Sequence, residues 1–247
     1  MLNAFLEIAD YLTYYLAGTT RHGLHSPFIY DFADFVLYQP SDINFEMIEN
    51  QRMNMIKSHS KTTQTSLSKY AAISTLDSKY GRLLQRMVQY YQPKSILEIG
   101  NNTGIESNYI LSNSVINHQP LNSYISVEVD DYFQKVRNET VESFVNFYQS
   151  ELVLNSNDLE ENQLVDLCIL HGQKNADDFW KYYDKYKYQL GTQSMLVVTN
   201  IRQTNDHYIN WSQMTNLPEV TASIELFKMG ILFFRTEQRK QKFILRY

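Results

Sequence analysis

Glycine is scarce in this chain: eight residues in 247, fewer than half the ~17 that average usage of about 7% supplies. Proline is scarce as well, with five. These shortages exclude a collagen-like repeat, a Gly/Ser linker array and a Pro-rich disordered chain. A single cysteine, Cys168, excludes an intrachain disulfide and makes a thiolate metal site a poor fit. A reducing, cytoplasmic setting is expected. No apolar run reaches the ~18–20 residues of a membrane helix, and Met1 to Glu7 carry neither a basic leader nor a small-residue cleavage site. A net charge of −5 offers no general attraction for phosphate backbones or anionic membranes. Neither nucleic acid nor a membrane is therefore an expected partner.

What is abundant is core-forming material. Hydrophobic residues make up 43% and aromatic residues 14% of the chain, against 20% charged. That balance supports a packed interior, and α/β units of roughly 200–250 residues often fold as one domain. With glycine so rare, each one is expected to mark a backbone geometry that other residues resist.

Two regions differ in rhythm. Residues 1–91 read as a helical cap: an apolar series runs from Leu2 to Leu16 and stops before Gly18. A second helix starts at His25-Ser26-Pro27-Phe28, with Ser26 as N-cap, Pro27 at the first position and Phe28, Phe32, Phe35 and Val36 as its buried stripe. Further helices are expected over 42–58 and 80–91, with the Thr/Ser/Gln-rich stretch 61–68 as a linker between them. Residues 92–247 read as an α/β domain. Strands are expected at 95–99, 124–128, 152–154, 165–170 and 195–199, separated by helices at 104–114, 131–148, 175–190 and 204–215. That alternation predicts a Rossmann-like, doubly wound, mostly parallel sheet. Strands at 222–227, 231–235 and 243–246, joined by turns alone, predict antiparallel pairing at one edge.

The most informative stretch is Ser95-Ile96-Leu97-Glu98-Ile99-Gly100-Asn101-Asn102-Thr103-Gly104. An apolar strand runs into two of the rare glycines, and a helix begins at the second. Such a loop lets a ligand approach backbone closely and meet helix N–H groups. It lies at the carboxyl end of a strand, where open α/β sheets bind ligands. Asn102 and the glycine count exclude the dinucleotide G-x-G-x-x-G.

The stretch instead resembles the E/D-x-G-x-x-x-G motif of class I S-adenosylmethionine-dependent methyltransferases, with Glu98, Gly100 and Gly104 in register. Glu128 stands at the end of the next strand, where that family binds ribose hydroxyls, a task suited to a two-oxygen acceptor. Asp130 is the alternative for it. The chain also resembles a bacterial branch of the superfamily in Gly23-Leu24-His25-Ser26-Pro27-Phe28, in Lys79-Tyr80-Gly81-Arg82-Leu83-Leu84 and in Gly230-Ile231-Leu232-Phe233-Phe234. The resemblance implies a seven-stranded sheet with an antiparallel C-terminal hairpin and a helical cap over the cleft. It implies S-adenosylmethionine as cofactor and S-adenosylhomocysteine as product. Gly100, Asn102 and Gly104 are assigned to the methionine end with Glu98 assisting, Glu128 to ribose, Asn157 or Asp158 to adenine, and Tyr80 and Gly81 to the border of the site.

The pattern departs from metal-dependent O-methyltransferases at two places. Where they carry an Asp after strand four and Asp-Asp or Asp-Asn after strand five, this chain has His171 and Thr199-Asn200. Magnesium prefers hard oxygen ligands with one or two carboxylates, so no metal is expected. His171 reads either as a general base, since imidazole titrates near neutral pH, or as a histidine bonded to a neighbouring group. Asn200 is a candidate for positioning the acceptor. The expected activity is metal-independent O-methylation of a small molecule, with self-association left open. The alternative is a catalytically degenerate relative used as a binding or assembly module. The basic run Arg235, Arg239, Lys240, Lys242 and Arg246 reads as a solvated edge, and Cys168, inside an apolar strand, as an inert thiol.

Overall fold

The computed structural model describes residues 2–61, 76–100, 102–127, 131–150, 159, 163–172, 175–236 and 239–247. In chain order the described elements are α1 (Leu2–Ala17), α2 (Pro27–Phe32) extended by a wider turn (Ala33–Leu37), α3 (Glu46–Lys61), α4 (Ser78–Tyr91), β1 (Ser95–Ile99), α5 (Ile105–Asn117), β2 (Ser123–Val127), α6 (Asp131–Phe147), β3 (Val165–Leu170), α7 (Asp178–Tyr186), β4 (Leu190–Thr199), α8 (Asn205–Met214), β5 (Ala222–Leu226), β6 (Met229–Phe233) and β7 (Gln241–Ile244). The expected strand at 152–154 and nearly all of the expected linker lie outside the described residues.

Among the described residues the sheet has seven strands in the order β2-β1-β3-β4-β6-β5-β7. β1 pairs in parallel with β2 and β3, and β3 with β4, as helical crossovers require. Alternation sorts the side chains to two faces. Ile96, Tyr124, Leu167, Ile169, Met195 and Val197 join one core with Leu83, Leu84 and Met87 of α4, Ile110 of α5 and Val141 of α6. Leu97, Ile99, Cys168, Leu170, Leu196 and Val198 join a second core with Phe179 of α7 and Trp211 of α8. Helices thus cover both faces, the arrangement that the βα alternation predicts. The helices around 27–91 share the first core with the sheet.

The C-terminal pattern differs from expectation in one strand. β6 is antiparallel to both β4 and β5, but β7 runs parallel to β5. The register explains it. The last residue of β6, Phe233, and the first of β7, Gln241, both pair with Ala222. β6 thus ends, and β7 begins, on opposite sides of the same β5 residue, which sets β7 antiparallel to β6 and parallel to β5. β4 also starts earlier than expected, at Leu190, because the preceding helix closes at Tyr186.

The N-terminal helices are tied down by two tyrosines and an arginine. Tyr14 of α1 donates to the Leu245 carbonyl, and Thr19 pairs with Leu245 beside β7. Arg86, buried on α4, donates through Nε to the Val36 carbonyl at 2.6 Å and through an Nη to the Leu37 carbonyl at 3.2 Å. It thereby satisfies carbonyls that the end of the second helical stretch leaves unpaired. Its guanidinium also reaches the Tyr247 hydroxyl at 3.0 Å. Two local expectations are corrected. Ser26 holds the N-cap position without a side-chain cap bond. Phe35 is exposed and stacks on Tyr90 at 6.0 Å, since the wider turn rotates it off the buried stripe.

Candidate functional site

The strand order reverses at β1, between β2 and β3, and this switch point is where open α/β sheets accept ligands. The carboxyl ends are knit together by backbone. Gly100 N donates to the Val127 carbonyl at 2.9 Å, and His171 N to the Ile99 carbonyl at 2.9 Å. Gly100 has φ +107° and Gly104 φ +84°, the left-handed region that disfavours a side chain. At Gly104 space is closed too: a Cβ there would lie 2.9 Å from the Arg137 carbonyl oxygen and 2.9 Å from Thr140 Cβ. Asn102 is buried and its Oδ1 accepts from Gly104 N at 2.7 Å and from Ser107 Oγ at 3.2 Å. The loop is therefore shaped by its own side chain as it enters α5.

Glu98 is fully buried. On β1 it shares the face of Ile96, and the parallel registers set Tyr124 of β2 and the extension of β3 beside it. Its Oε1 meets His171 Nε2 at 2.5 Å. Its Oε2 accepts from Ser107 Oγ at 2.8 Å and from the Tyr124 hydroxyl. Burial pushes the Glu98 carboxyl up, but the charge and hydrogen bond of His171, aided by Arg137 and Tyr124, outweigh it and hold the carboxyl below the usual carboxylate range. Burial drives the Tyr124 phenol well above its ordinary value, and the Glu98 carboxylate adds to the rise. Arg137, on α6, stacks 5.4 Å over the Tyr124 ring.

A second buried carboxylate lies close by. Glu106, in the first turn of α5, accepts from Leu76 N at 2.7 Å. Burial pushes its carboxyl above the ordinary value against the pull of His171, with Glu98 adding to the rise. Two carboxylates near one imidazole are thus pushed in opposite directions, a pattern concentrated at functional sites. Nothing in the sequence pattern singles out Glu106.

At the ends of β3 and β4, Gly172 N donates to Thr199 Oγ1 at 2.9 Å. Asn200 adopts φ +54°, and a Cβ on Gly172 would fall 2.5 Å from Asn200 Cβ. His171, Gly172 and Asn200 are thereby brought together, as sequence placed them. Tyr80 and Gly81 are buried on α4. The Tyr80 hydroxyl accepts from Lys228 N at 3.1 Å, and a Cβ on Gly81 would strike the Tyr109 ring at 2.4 Å. Glu128, its alternative Asp130, and both Asn157 and Asp158 lie outside the described residues. Among the described residues no three His, Cys, Asp or Glu side chains converge as a metal site needs, and no helix is long and apolar enough to cross a membrane.

No protein-family model and no curated protein sequence matches this chain. Solved structures do. It is similar to SAH-bound methyltransferase PaMTH1 from Podospora anserina, with TM-score 0.56 and 10% identity, covering 86% of this chain and 97% of that one. It is similar to an O-methyltransferase from Bacillus cereus in complex with SAH, with TM-score 0.53, 11% identity and coverage of 79% and 93%. It is also similar to the O-methyltransferase TomG from Streptomyces achromogenes in complex with SAM, with TM-score 0.50, 15% identity and coverage of 76% and 98%. SAM and SAH are S-adenosylmethionine and S-adenosylhomocysteine. Likeness at such low identity defines architecture, and with the sheet order and the β1 loop it gives a single result: this chain has the class I S-adenosylmethionine-dependent methyltransferase fold.

Proposed function

We propose that the protein is an S-adenosylmethionine-dependent methyltransferase that methylates an oxygen of a small molecule without a metal. The observation that carries this reading is the loop from Gly100 to Gly104. Its left-handed glycines, its position at the switch point and the N-terminus of α5 behind it suit a ligand bearing a carboxylate and a ribose. Gly100, Asn102 and Gly104 hold the methionine end. Glu128, the residue after β2 in sequence, takes the ribose hydroxyls, and Asn157 the adenine. The bound cofactor supplies a methyl group already activated on a sulfonium.

The residues of the chain then have three tasks: to bind, to align and to exclude water. Both oxygens of Glu98 are engaged by protein groups, so its task is positional. It fixes the His171 ring and, through Ser107, the Asn102 turn. His171, its Nε2 held by Glu98, is the general base for the acceptor hydroxyl. Asn200, packed against Gly172, orients the acceptor. Titration calorimetry with S-adenosylmethionine and S-adenosylhomocysteine tests the proposal. Micromolar binding of both, lost in Glu128→Ala, is expected. A folded protein that binds neither refutes it and favours a binding or assembly role for the same fold.

A further inference from the structure

A cavity lies away from the β1 loop. It has a volume of about 430 Å³ and is walled by Ile8, Tyr11 and Leu12 of α1, Asp77, Lys79 and Tyr80 at the start of α4, and Phe227 and Lys228 of the β5–β6 turn, with Glu7 also on its border. That volume falls in the range of small-molecule sites. It explains an oddity of α1, whose Ile8 and Leu12 are 59% and 53% exposed although the helix is anchored by Tyr14. Those side chains are one wall of a cavity.

One part of the wall is aromatic and apolar. Tyr11 meets the Phe227 ring edge-on at 5.1 Å, and the Tyr80 ring closes the α4 side. The charges are uneven in their pairing. Lys228 Nζ pairs with Asp77 at 3.0 Å. Lys79 Nζ instead donates to a main-chain oxygen of Tyr247 at 3.2 Å and lies over the Tyr80 and Tyr247 rings at 5.0 and 5.2 Å. Burial lowers the Lys79 pKa, and Lys228 adds to that while Asp77 opposes it. Glu7 and Asp77 balance the two ammonium groups along the wall, but Asp77 is engaged by Lys228 and Lys79 by a main-chain oxygen, so an anion that reaches both lysines gains charge-assisted bonds.

From this geometry we propose that the cavity binds an aromatic acid, its ring between Tyr11, Leu12, Tyr80 and Phe227 and its anionic group at Lys79 and Lys228. The site is independent of the methyl-transfer reading and nothing in that reading requires it.

Two fluorescent probes that differ by one sulfonate test the proposal on the full chain: 1-anilinonaphthalene-8-sulfonate and neutral N-phenyl-1-naphthylamine. The sulfonate is expected to bind saturably at one site. Lys79→Ala/Lys228→Ala should weaken it about tenfold or more, as loss of charge-assisted bonds does, with the neutral probe unchanged. Leu12→Glu, on an exposed helix position, should abolish both. Unaltered melting curves establish that the variants fold. S-adenosylhomocysteine should displace neither probe. The proposal is overturned by non-saturable binding, by a sulfonate affinity that survives the double lysine change, by either probe surviving Leu12→Glu, or by displacement with S-adenosylhomocysteine.

Discussion

Replacing Glu98 with Gln keeps the side-chain shape but removes the charge at the centre of the buried cluster. Three donors converge on the wild-type carboxylate: His171, Tyr124 and Ser107. A hydrogen bond to a charged group contributes about 1.5–3 kcal/mol, and breaking one member of a buried pair costs about 3–5 kcal/mol. Glu98→Gln should therefore lose about 3–5 kcal/mol from a total that is typically about 5–15 kcal/mol. The matching change, His171→Gln, removes the other side of the pair. A double-mutant cycle by urea unfolding at pH 7 should give a coupling of about 1.5–3 kcal/mol. The pH dependence has a fixed sign. The folded Glu98 pKa is depressed, so the native state binds fewer protons than the unfolded one. Its stabilisation is complete above the ordinary carboxyl value of about 4.3 and fades as pH falls through the lower folded value. Additivity of the two substitutions within about 0.5 kcal/mol, or a coupling that grows in acid, refutes the cluster as described.

Three further outcomes follow from the same geometry. Gly104→Ala combines a left-handed backbone with contacts of 2.9 Å to Arg137 and Thr140, and should cost about 2–5 kcal/mol from strain and overpacking, read by chemical denaturation. Glu106→Gln keeps an acceptor for Leu76 N while removing a carboxyl whose pKa burial raises. The native state holds that proton longer than the unfolded state, so wild-type stability falls as pH climbs from about 4.3 through the folded value. The variant should melt higher than wild type at pH 8 and gain little at pH 4, each kcal/mol relieved raising the Tm by about 2–4 °C. Cys168 is buried with its thiol pushed up to about 12; thiol reagents at pH 8 should modify it in urea but leave it intact in the native protein.

Much of the fold is local chemistry and so was open to reading. β1 and β3 occupy the expected 95–99 and 165–170, because apolar runs bounded by Pro, Gly and polar turns leave little choice of register with the chain. The hairpin around Gly230 reads in the same way. Its position is fixed by Trp211, whose ring lies 2.4 Å from where a Cβ would sit. What sequence did not disclose is relational. Glu98 and His171 are 73 positions apart, and only the parallel register of β1 against β3 brings them to one face. A motif assigns Glu98 to a ligand, whereas its neighbours in space occupy both its oxygens. The direction of β7 depends likewise on where β6 ends. Glu106 and Arg86 were invisible for the same reason, since burial of a charge is decided by helices that pack from elsewhere.

A crystal structure of the protein soaked with S-adenosylhomocysteine bears most directly on the proposed activity. The expected result is the ligand at the switch point, its amino-acid end against Gly100–Gly104, its ribose on Glu128 and its sulfur facing His171 and Asn200. A ligand elsewhere on the surface, or no ligand at Gly100–Gly104 at saturating concentration, contradicts it.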